Sequence, residues 1–382
     1  MKKLVLSTVL LSVATAPAWA GQFIVTDGVP IQDSYIVVLK DKRPSLVEHL
    51  NHVKEIASAH NAKVATVFEN HVLNGAALKM SEKDARELAR RADVDYVEQD
   101  AVVTAFDTQL NPPSWGLDRI DQANLPFNQA YSFNSTGAGV TAYVIDTGIL
   151  ISHTDFAGRA TAGFDAFGGN GIDCNGHGTH VAGTIGGETY GVAKDVNLVA
   201  VRVLDCNGSG STSGVINGIS WVSSNAQKPA VANMSLGGAK SQALNTAVAN
   251  SIKTGITYAV AAGNNNTNAC NASPASEPTA LTVGATQNDD KRASYSNYGN
   301  CLDLFAPGTN ITSTWSDGST NTISGTSMAT PHVAGVAALY LQANPMATVS
   351  QVSSALINTT IANKVTNSGS RSPNRLLQSS SF

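Results

Sequence analysis

Three residues carry side chains that could together perform acyl transfer. Asp146 ends an apolar stretch within residues 144–148, and His177 follows 31 residues later with a glycine on each side. Ser327 lies in a segment, residues 325–335, that leads from a glycine into an apolar helical pattern. In nucleophilic catalysis a carboxylate orients an imidazole, and the imidazole takes the proton of an attacking hydroxyl. The three residue types therefore predict this chemistry if the fold brings them together.

Each of these residues also has a simpler explanation when taken alone. Asp146 could cap the following turn, and Ser327 could cap the helix that starts there. His177 could be a buried histidine, or it could bind a metal together with His180. The H-x-x-H spacing lacks the glutamate of the H-E-x-x-H zinc-protease motif, so a zinc protease is disfavoured. At a helix start, Ser327 would lie beside unpaired backbone N–H groups, which favour a developing oxyanion.

The elements that must position these residues alternate between strand and helix. Short apolar runs are predicted as strands at 140–145, 198–204, 231–236, 257–262 and 281–283, with helices at 212–227 and 242–253 among them. Continuous apolar strands with helical crossovers predict an α/β domain of three layers around a mainly parallel sheet. Sites in such sheets form at the carboxyl ends of strands, where Asp146 lies.

A smaller module, in which charged residues are more densely distributed, precedes this domain. Its predicted strands are 35–39, 64–68, 76–80 and 94–98, and its predicted helices are 45–59 and 81–91. The order strand-helix-strand-strand-helix-strand predicts an α+β ferredoxin-like fold with a core at 33–105. The turn-rich segment 106–113 separates the two domains and suits proteolytic processing.

The N-terminus has the layout of a secretory signal peptide. Lys2 and Lys3 precede an apolar run at 4–15, and Ala18 and Ala20 supply the small residues of a cleavage site after Ala20. A transmembrane anchor is the alternative, but it needs about 20 apolar residues and this run is shorter. We therefore expect residues 1–20 to be removed and the product to be secreted, extracellular and not membrane-bound.

The charge and the cysteine content limit which binding partners and which cellular compartment are expected. The net charge of −4 offers no basic surface, so neither nucleic acid nor an anionic membrane is an expected partner. The four cysteines are Cys174, Cys206, Cys270 and Cys301. An even number in an exported chain favours disulfides, with three possible connectivities. A zinc site is disfavoured because C-x-x-C spacing is absent, and the spacing alone does not choose the pairs.

The order of the candidate residues, Asp then His then Ser, is that of subtilisin, and the sequence contains no G-x-S-x-G esterase motif. Segments 144–148, 175–183 and 325–335 resemble the three signature blocks of the subtilisin family of serine proteases. Segments 173–186, 200–214 and 232–238 resemble its proteinase K branch, and the cysteine pattern most resembles aqualysin-type enzymes. The likeness covers about 115–377, and the first module resembles the family's inhibitory prodomain.

The resemblance implies a role for each matching position. Ser327 would be the nucleophile, His177 the general base, Asp146 the residue that orients the imidazole, and Asn264 an oxyanion donor. Two segments would bind the substrate backbone as an added strand, which implies broad specificity with a mostly apolar first pocket. Their residues are Gly208, Ser209, Gly210, Ser235, Leu236 and Gly237.

Disulfides and calcium are also implied by the resemblance. The expected pairs are Cys174–Cys206 and Cys270–Cys301. Structural calcium would be bound by carbonyl oxygens of Pro278 and Ala280 with the Asp303 carboxylate. A second candidate site contains Asp118 and Asp121, with Gln122 beside them. The alternative for both groups is that they cap turns at the surface.

The expected protein is thus a secreted serine endopeptidase of broad specificity that works through an acyl-enzyme on proteins and peptides. Residues 1–20 form the signal peptide, 21–106 the prodomain and 107–382 the catalytic domain. The prodomain would inhibit and help fold its own enzyme until self-processing, and the mature chain would start near Asp107 as a monomer. One alternative is an inactive homologue that acts as a binding protein, and such homologues usually lack a triad or oxyanion residue. Another is that the released module persists as a protease inhibitor.

Overall fold

The computed structural model describes residues 21–26, 30–41, 44–68, 71–101 and 107–382. The chain divides into two compact units, residues 1–104 and 105–382. The predicted signal peptide lies outside the described residues, as do Ala105 and Phe106 next to the predicted processing site.

The first unit is a five-stranded sheet with two helices. Its elements are β1 (Gln22–Ile24), β2 (Pro30–Leu39), α1 (Leu46–Ala59), β3 (Lys63–Val67), β4 (Gly75–Lys79), α2 (Glu82–Leu88) and β5 (Val94–Ala101). The sheet order is β1-β5-β2-β4-β3. Strands β2 to β5 pair antiparallel, and β1 adds a parallel edge strand that the sequence patterns did not predict. The ferredoxin-like prediction is confirmed, although α2 ends at Leu88 rather than at Arg91.

Serine caps begin both helices of this unit. The Ser45 hydroxyl accepts the Glu48 N–H, and the Ser81 hydroxyl accepts the Asp84 N–H, at 3.2 Å in each case. Each cap satisfies one of the N–H groups that a helix start leaves unpaired. Val53, Ile56 and other apolar residues of the two helices share one core with the strands.

The second unit contains more elements. Its strands are β6 (Asp107–Leu110), β7 (Ala130–Phe133), β8 (Thr141–Asp146), β9 (Ala160–Asp165), β10 (Asn197–Arg202), β11 (Ala230–Met234), β12 (Gly238–Ala239), β13 (Thr257–Ala261), β14 (Ala272–Ser273), β15 (Leu281–Thr286), β16 (Leu304–Pro307), β17 (Ile311–Thr314), β18 (Thr320–Ile323), β19 (Ile361–Ala362) and β20 (Arg375–Leu376). Its α-helices are α3 (Trp115–Ile120), α4 (His177–Gly186), α5 (Thr212–Asn225), α6 (Gln242–Lys253), α7 (Thr326–Ala343) and α8 (Val349–Thr359).

A nine-stranded sheet forms the centre of this unit, in the order β19-β20-β16-β15-β13-β11-β8-β10-β9. All neighbours pair parallel except β19 with β20. Alternate residues of β8 point into two different cores. Ala142 and Val144 join the core that contains α4 and α7, whereas Tyr143 and Ile145 join the core with α5 and α6. A sheet covered on both faces explains the continuous apolar strands and confirms the predicted α/β class.

The candidate residues lie at one edge of this sheet. Asp146 is the last residue of β8, Ser235 directly follows β11, and Asn264 follows β13. Because these strands are parallel, their carboxyl ends meet at the same edge. Among the described residues, no helix has the length and apolar character that crossing a bilayer requires, and this includes the buried 18-residue helix α7.

Candidate active site

The Asp146 carboxylate and the His177 ring form one hydrogen-bonded pair. Asp146 is fully buried, and its Oδ1 lies 2.8 Å from His177 Nδ1. The same oxygen accepts the Thr147 N–H at 2.7 Å, which holds the carboxylate in place. Because a carboxylate oxygen accepts hydrogen bonds, Nδ1 carries the ring proton and Nε2 is left as the basic nitrogen.

His177 begins helix α4, and a glycine makes this position possible. Gly176 precedes it with φ of +112°, and a Cβ at Gly176 would lie 2.3 Å from the Trp315 ring. Only glycine tolerates both the conformation and the close approach. The glycine before His177 in the sequence is thus a requirement of the local geometry.

The pKa of His177 reflects two opposing effects. Burial lowers it, but the charge of Asp146, the hydrogen bond to Asp146 and the charge of Asp173 together outweigh burial. The pKa is therefore raised above the ordinary imidazole value. A quarter of the side chain remains exposed, so protons can reach the ring from solvent.

Ser327 lies in the first turn of α7 and shares a cavity with His177. The cavity has a volume of about 760 Å³. In this structure the Ser327 hydroxyl donates to the backbone carbonyl of Ser235 at 3.0 Å, and no hydrogen bond joins it to His177 within the described residues. Ser235 also donates its hydroxyl to the Ser327 carbonyl at 2.7 Å. Catalytic hydrogen bonds are often poorly aligned without substrate, so this orientation does not exclude Ser327 as a nucleophile.

The predicted substrate-binding residues all line that cavity. They are Gly208, Ser209, Gly210, Ser235, Leu236 and Gly237. A smaller cavity of about 230 Å³ adjoins Ser327 and is lined by Leu236, Gly238, Ala261 and Asn264 among others. The two segments therefore form walls of a cleft that leads to Ser327.

Asn264 presents a free amide donor beside Ser327. Its Oδ1 accepts both the backbone N–H of Thr326 at 2.8 Å and the hydroxyl of Thr326 at 2.9 Å. These donors fix the side chain with its oxygen toward Thr326, so the Nδ2 group is directed elsewhere. Asn264 and Ser327 line the same small cavity, where that amide can donate to a ligand.

Sequence reasoning missed the supporting role of Thr326. This residue is fully buried, and besides binding Asn264 it accepts the Gly263 N–H at 3.1 Å. It connects the loop after β13 to the start of α7. Its position directly before Ser327 was the available signal.

Sequence reasoning also missed Asp173, which connects the segments that contain Asp146 and His177. Its buried carboxylate accepts hydrogen bonds from Thr147 Oγ1 at 2.9 Å, from Thr179 Oγ1 at 2.6 Å and from three backbone N–H groups. Thr147 follows Asp146, and Thr179 lies in the first turn of α4. One carboxylate thus joins the end of β8 to the helix that carries His177.

We expect Asp173→Asn to destabilise the catalytic domain by about 2–4 kcal/mol, because an amide NH₂ would face donors that a carboxylate accepts. Urea unfolding should be measured in a Ser327→Ala background to avoid self-digestion. Asp289→Asn, an exposed carboxylate bonded to Lys291, is the control and should change stability by less than about 0.5 kcal/mol. Equal stability of the two variants would contradict this role for Asp173.

Both disulfides implied by the resemblance are present in the structure. Cys174 is bonded to Cys206 and Cys270 to Cys301. Cys174 is adjacent to Asp173, and Cys206 lies in the loop that contributes Gly208 to the cleft wall. This bond therefore links the segment before α4 to one wall of the cleft.

The first predicted metal group lies around a cavity of about 220 Å³ lined by Pro278, Ala280 and Asp303. Burial raises the pKa of Asp303 to about 6, although its carboxylate accepts the Thr282 N–H at 2.8 Å. A buried carboxylate with little compensating charge fits a hard cation such as Ca²⁺, which binds carboxylate and carbonyl oxygens.

The second predicted group contains Asp118 and Asp121. Asp118 accepts the N–H groups of Asn128 and Gln129 at 3.2 and 2.8 Å. Asp121 Oδ2 accepts the Ser132 N–H, whereas its buried Oδ1 has no partner in the described part of the chain. Burial raises the pKa of Asp121 to about 6. Across the described ranges no three His, Cys, Asp or Glu side chains cluster as metal ligands, so carbonyl oxygens would have to complete either site.

The comparisons with known proteins agree with the fold and site. Residues 137–377 match the Subtilase family, and residues 34–106 match Peptidase inhibitor I9. An extracellular serine proteinase of Thermus sp. (strain Rt41A) is 60% identical over 320 residues, covering 83% of this chain and 78% of the relative. Alkaline serine exoprotease A of Vibrio alginolyticus is 48% identical over 92% of this chain and 68% of its own length. The crystal structure of a cold adapted subtilisin-like serine proteinase superposes with a TM-score of 0.69 at 57% identity, over 69% of this chain and 97% of that chain.

A parallel α/β sheet with Asp, His and Ser side chains at its carboxyl edge defines a serine hydrolase of the subtilisin type. With the matches above, the chain belongs to the subtilase family, and it is a serine endopeptidase preceded by a prodomain of the I9 type. The family resemblance inferred from the sequence is confirmed.

Proposed function

We propose that this protein is a secreted endopeptidase that cleaves proteins with broad specificity through a covalent acyl-enzyme formed on Ser327. The observation that carries the proposal is the 2.8 Å contact between His177 Nδ1 and Asp146 Oδ1, with His177 and Ser327 lining one cavity. That contact leaves Nε2 free to act as a base.

In the proposed reaction Ser327 Oγ forms a bond to the carbonyl carbon of the substrate while its proton passes to His177 Nε2. The tetrahedral oxyanion accepts hydrogen bonds from the Asn264 amide and from backbone N–H at the start of α7. The C–N bond then breaks, and His177 gives its proton to the leaving amine. Water attacks the acyl-enzyme by the same route, which releases the acid and restores Ser327. Asp146 stabilises the charged imidazole in both steps.

Broad specificity is supported by the small cavity beside Ser327. Of the described residues that line it, most are small or carry amides, and none is charged. When a peptide pairs with the cleft walls through its backbone, the enzyme selects it mainly by the side chain that enters this pocket. Small and medium apolar side chains are therefore the expected first-pocket substrates.

Secretion is supported by the signal-like sequence at 1–20 and by the extracellular relative. The I9 match at 34–106 supports a prodomain, for which we propose residues 21–106, that inhibits and assists the folding of its own enzyme. Self-cleavage close to Asp107 would then produce the mature catalytic domain, 107–382.

A fluorophosphonate probe tests this proposal directly, because it reacts only with an activated serine. Labelling is expected in the processed protein and should disappear in Ser327→Ala. Ser324→Ala, which removes an exposed hydroxyl from the same loop, is the matched control and should label normally. Labelling that persists in Ser327→Ala would refute Ser327 as the nucleophile, and an unlabelled wild type would favour the inactive binding protein.

We expect Asn264→Ala to reduce kcat by about 10²–10³ with little change in KM, because the amide binds the oxyanion only as charge develops. This range is the one measured when the corresponding oxyanion donor of subtilisin is removed. Steady-state kinetics on a peptide amide should be compared with those of Asn250→Ala, which removes an exposed amide of α6 that lines neither cavity. A purely KM effect would contradict the oxyanion role.

We also propose that Ca²⁺ binds at Asp303 with Pro278 and Ala280 and, separately, at Asp118 and Asp121. The ion would supply positive charge to carboxylates that burial leaves uncompensated. A chelator should lower the thermal midpoint by several degrees, and added Ca²⁺ should restore it. Asp303→Asn should remove part of the Ca²⁺-dependent change in the thermal midpoint, and Asp121→Asn should remove another part. An unchanged midpoint with chelator would contradict both sites.

A further inference from the structure

The large cleft is almost free of charge. Of the described residues that line its volume of about 760 Å³, His177 titrates and Lys240 alone carries a permanent charge. Lys240 is exposed and forms no salt bridge in the described structure. Asp205, whose carboxylate accepts the N–H groups of Asn207 and Ser209, does not line the cavity and has no salt bridge to Lys240 in the described structure.

The backbone around Lys240 adds to the positive potential. Lys240 lies just before Ser241, the N-cap of α6, and the first turn of α5 lines the same cavity through Thr212 and Val215. Both helices begin without an acidic residue in the first turn. Their N-terminal dipoles therefore reinforce the lysine charge and are not offset by carboxylates.

We propose that Lys240 determines specificity by favouring substrates with an acidic side chain a few residues before the cleaved bond. This inference rests on the proposed function. The wall that includes Leu236 to Gly238 borders both the small pocket beside Ser327 and the part of the cleft at Lys240. Lys240 is five residues beyond Ser235, whose carbonyl contacts the Ser327 hydroxyl. Since an extended peptide advances about 3.3 Å per residue, the third to fifth residue before the bond can reach it.

The expected preference is moderate because the lysine is solvated before substrate binds. An exposed ion pair changes a binding constant only a few-fold. Partial coverage of the pair by the bound peptide increases this effect somewhat. We expect kcat/KM to favour glutamate over glutamine by about three- to tenfold at one position. The preference should weaken as salt increases.

The test uses the processed wild-type enzyme and peptides of one sequence that carry a single Glu, Gln or Lys at each position from five before to three after the cleaved bond. The ratio of kcat/KM for Glu to that for Gln should exceed about three at one of positions three to five. It should fall to about one in Lys240→Gln, and Lys240→Glu should prefer the Lys peptide. Lys253→Gln removes an equal charge from the far end of α6 and should retain the wild-type ratio.

The outcomes separate this inference from the proposed function. If the Gln peptides are cleaved but the wild-type ratio is near one at every position, Lys240 has no such role and the endopeptidase proposal stands. A ratio that survives Lys240→Gln also overturns the inference. If none of the peptides is cleaved by wild type, the proposed function fails and this inference fails with it.

Discussion

Ser327→Ala is expected to lower kcat for peptide hydrolysis by about 10⁶, the size of the loss measured for the corresponding change in subtilisin. The variant lacks the oxygen that forms the acyl bond, and His177 has no proton to accept. Once an added protease has removed the prodomain from this variant, substrate binding by the cleft walls should persist, so KM should change little. Initial rates with a peptide amide, measured over long times, test the magnitude.

The same variant should also accumulate as the full precursor. Cleavage near Asp107 needs the nucleophile if it occurs within the molecule, and the inactive chain should keep residues 21–106 attached. Ser324→Ala should process at the wild-type rate. Mass spectrometry of the expressed proteins distinguishes the two cases, and a mature Ser327→Ala product formed without added protease would contradict self-processing.

Asp146→Asn is expected to lower kcat by about 10⁴ while the fold is retained. An amide at this position can donate to Nδ1, which would favour the tautomer with its proton on Nε2. The ring nitrogen that faces the cleft would then be unable to accept the Ser327 proton. Asp289→Asn is the matched control and should keep full activity. A decrease in kcat of less than about tenfold would mean that Asp146 does not determine the tautomer of the His177 ring.

The pH dependence provides a second readout of this pair. The pKa of His177 is raised in the wild type, so the acid limb of kcat/KM should lie above about 6.5, the ordinary imidazole value. Below that limb the ring is protonated and cannot act as a base. Asp146→Asn removes the charge that raises the pKa and leaves the burial that lowers it, so its limb should move to lower pH. If the acid limbs of the wild type and Asp146→Asn coincide, the proposed electrostatic effect of Asp146 on the His177 pKa is contradicted.

Local patterns were sufficient to predict the main elements that position the site and the identities of the candidate residues. Apolar runs and helical spacing located nine of the 20 described strands, and α6 was predicted at its observed bounds. Such signals work because each strand or helix is buried along its own length. The order of Asp146, His177 and Ser327, with the blocks around them, was likewise present in the chain itself.

Contacts between distant segments could not be predicted in this way. The short edge strands β1 and β19, the Ser327 hydrogen bond to Ser235 and the Asp173 connection to Thr147 depend on how the chain packs. Spacing left three disulfide connectivities open until the resemblance was considered, and the structure places the bonded sulfurs together.

The sequence by itself determined which side chains are available, which elements carry them and which family the chain resembles. The tertiary structure decided which atoms meet, such as the Thr326 contacts that direct the Asn264 amide. It also left one Asp121 oxygen without a partner in the described chain and placed Lys240 in a cleft whose other described lining residues, apart from His177, are uncharged. The reason is physical. Helix and strand patterns arise from neighbours along the chain, whereas the partner of a buried polar group is set by the packing of residues far apart in sequence.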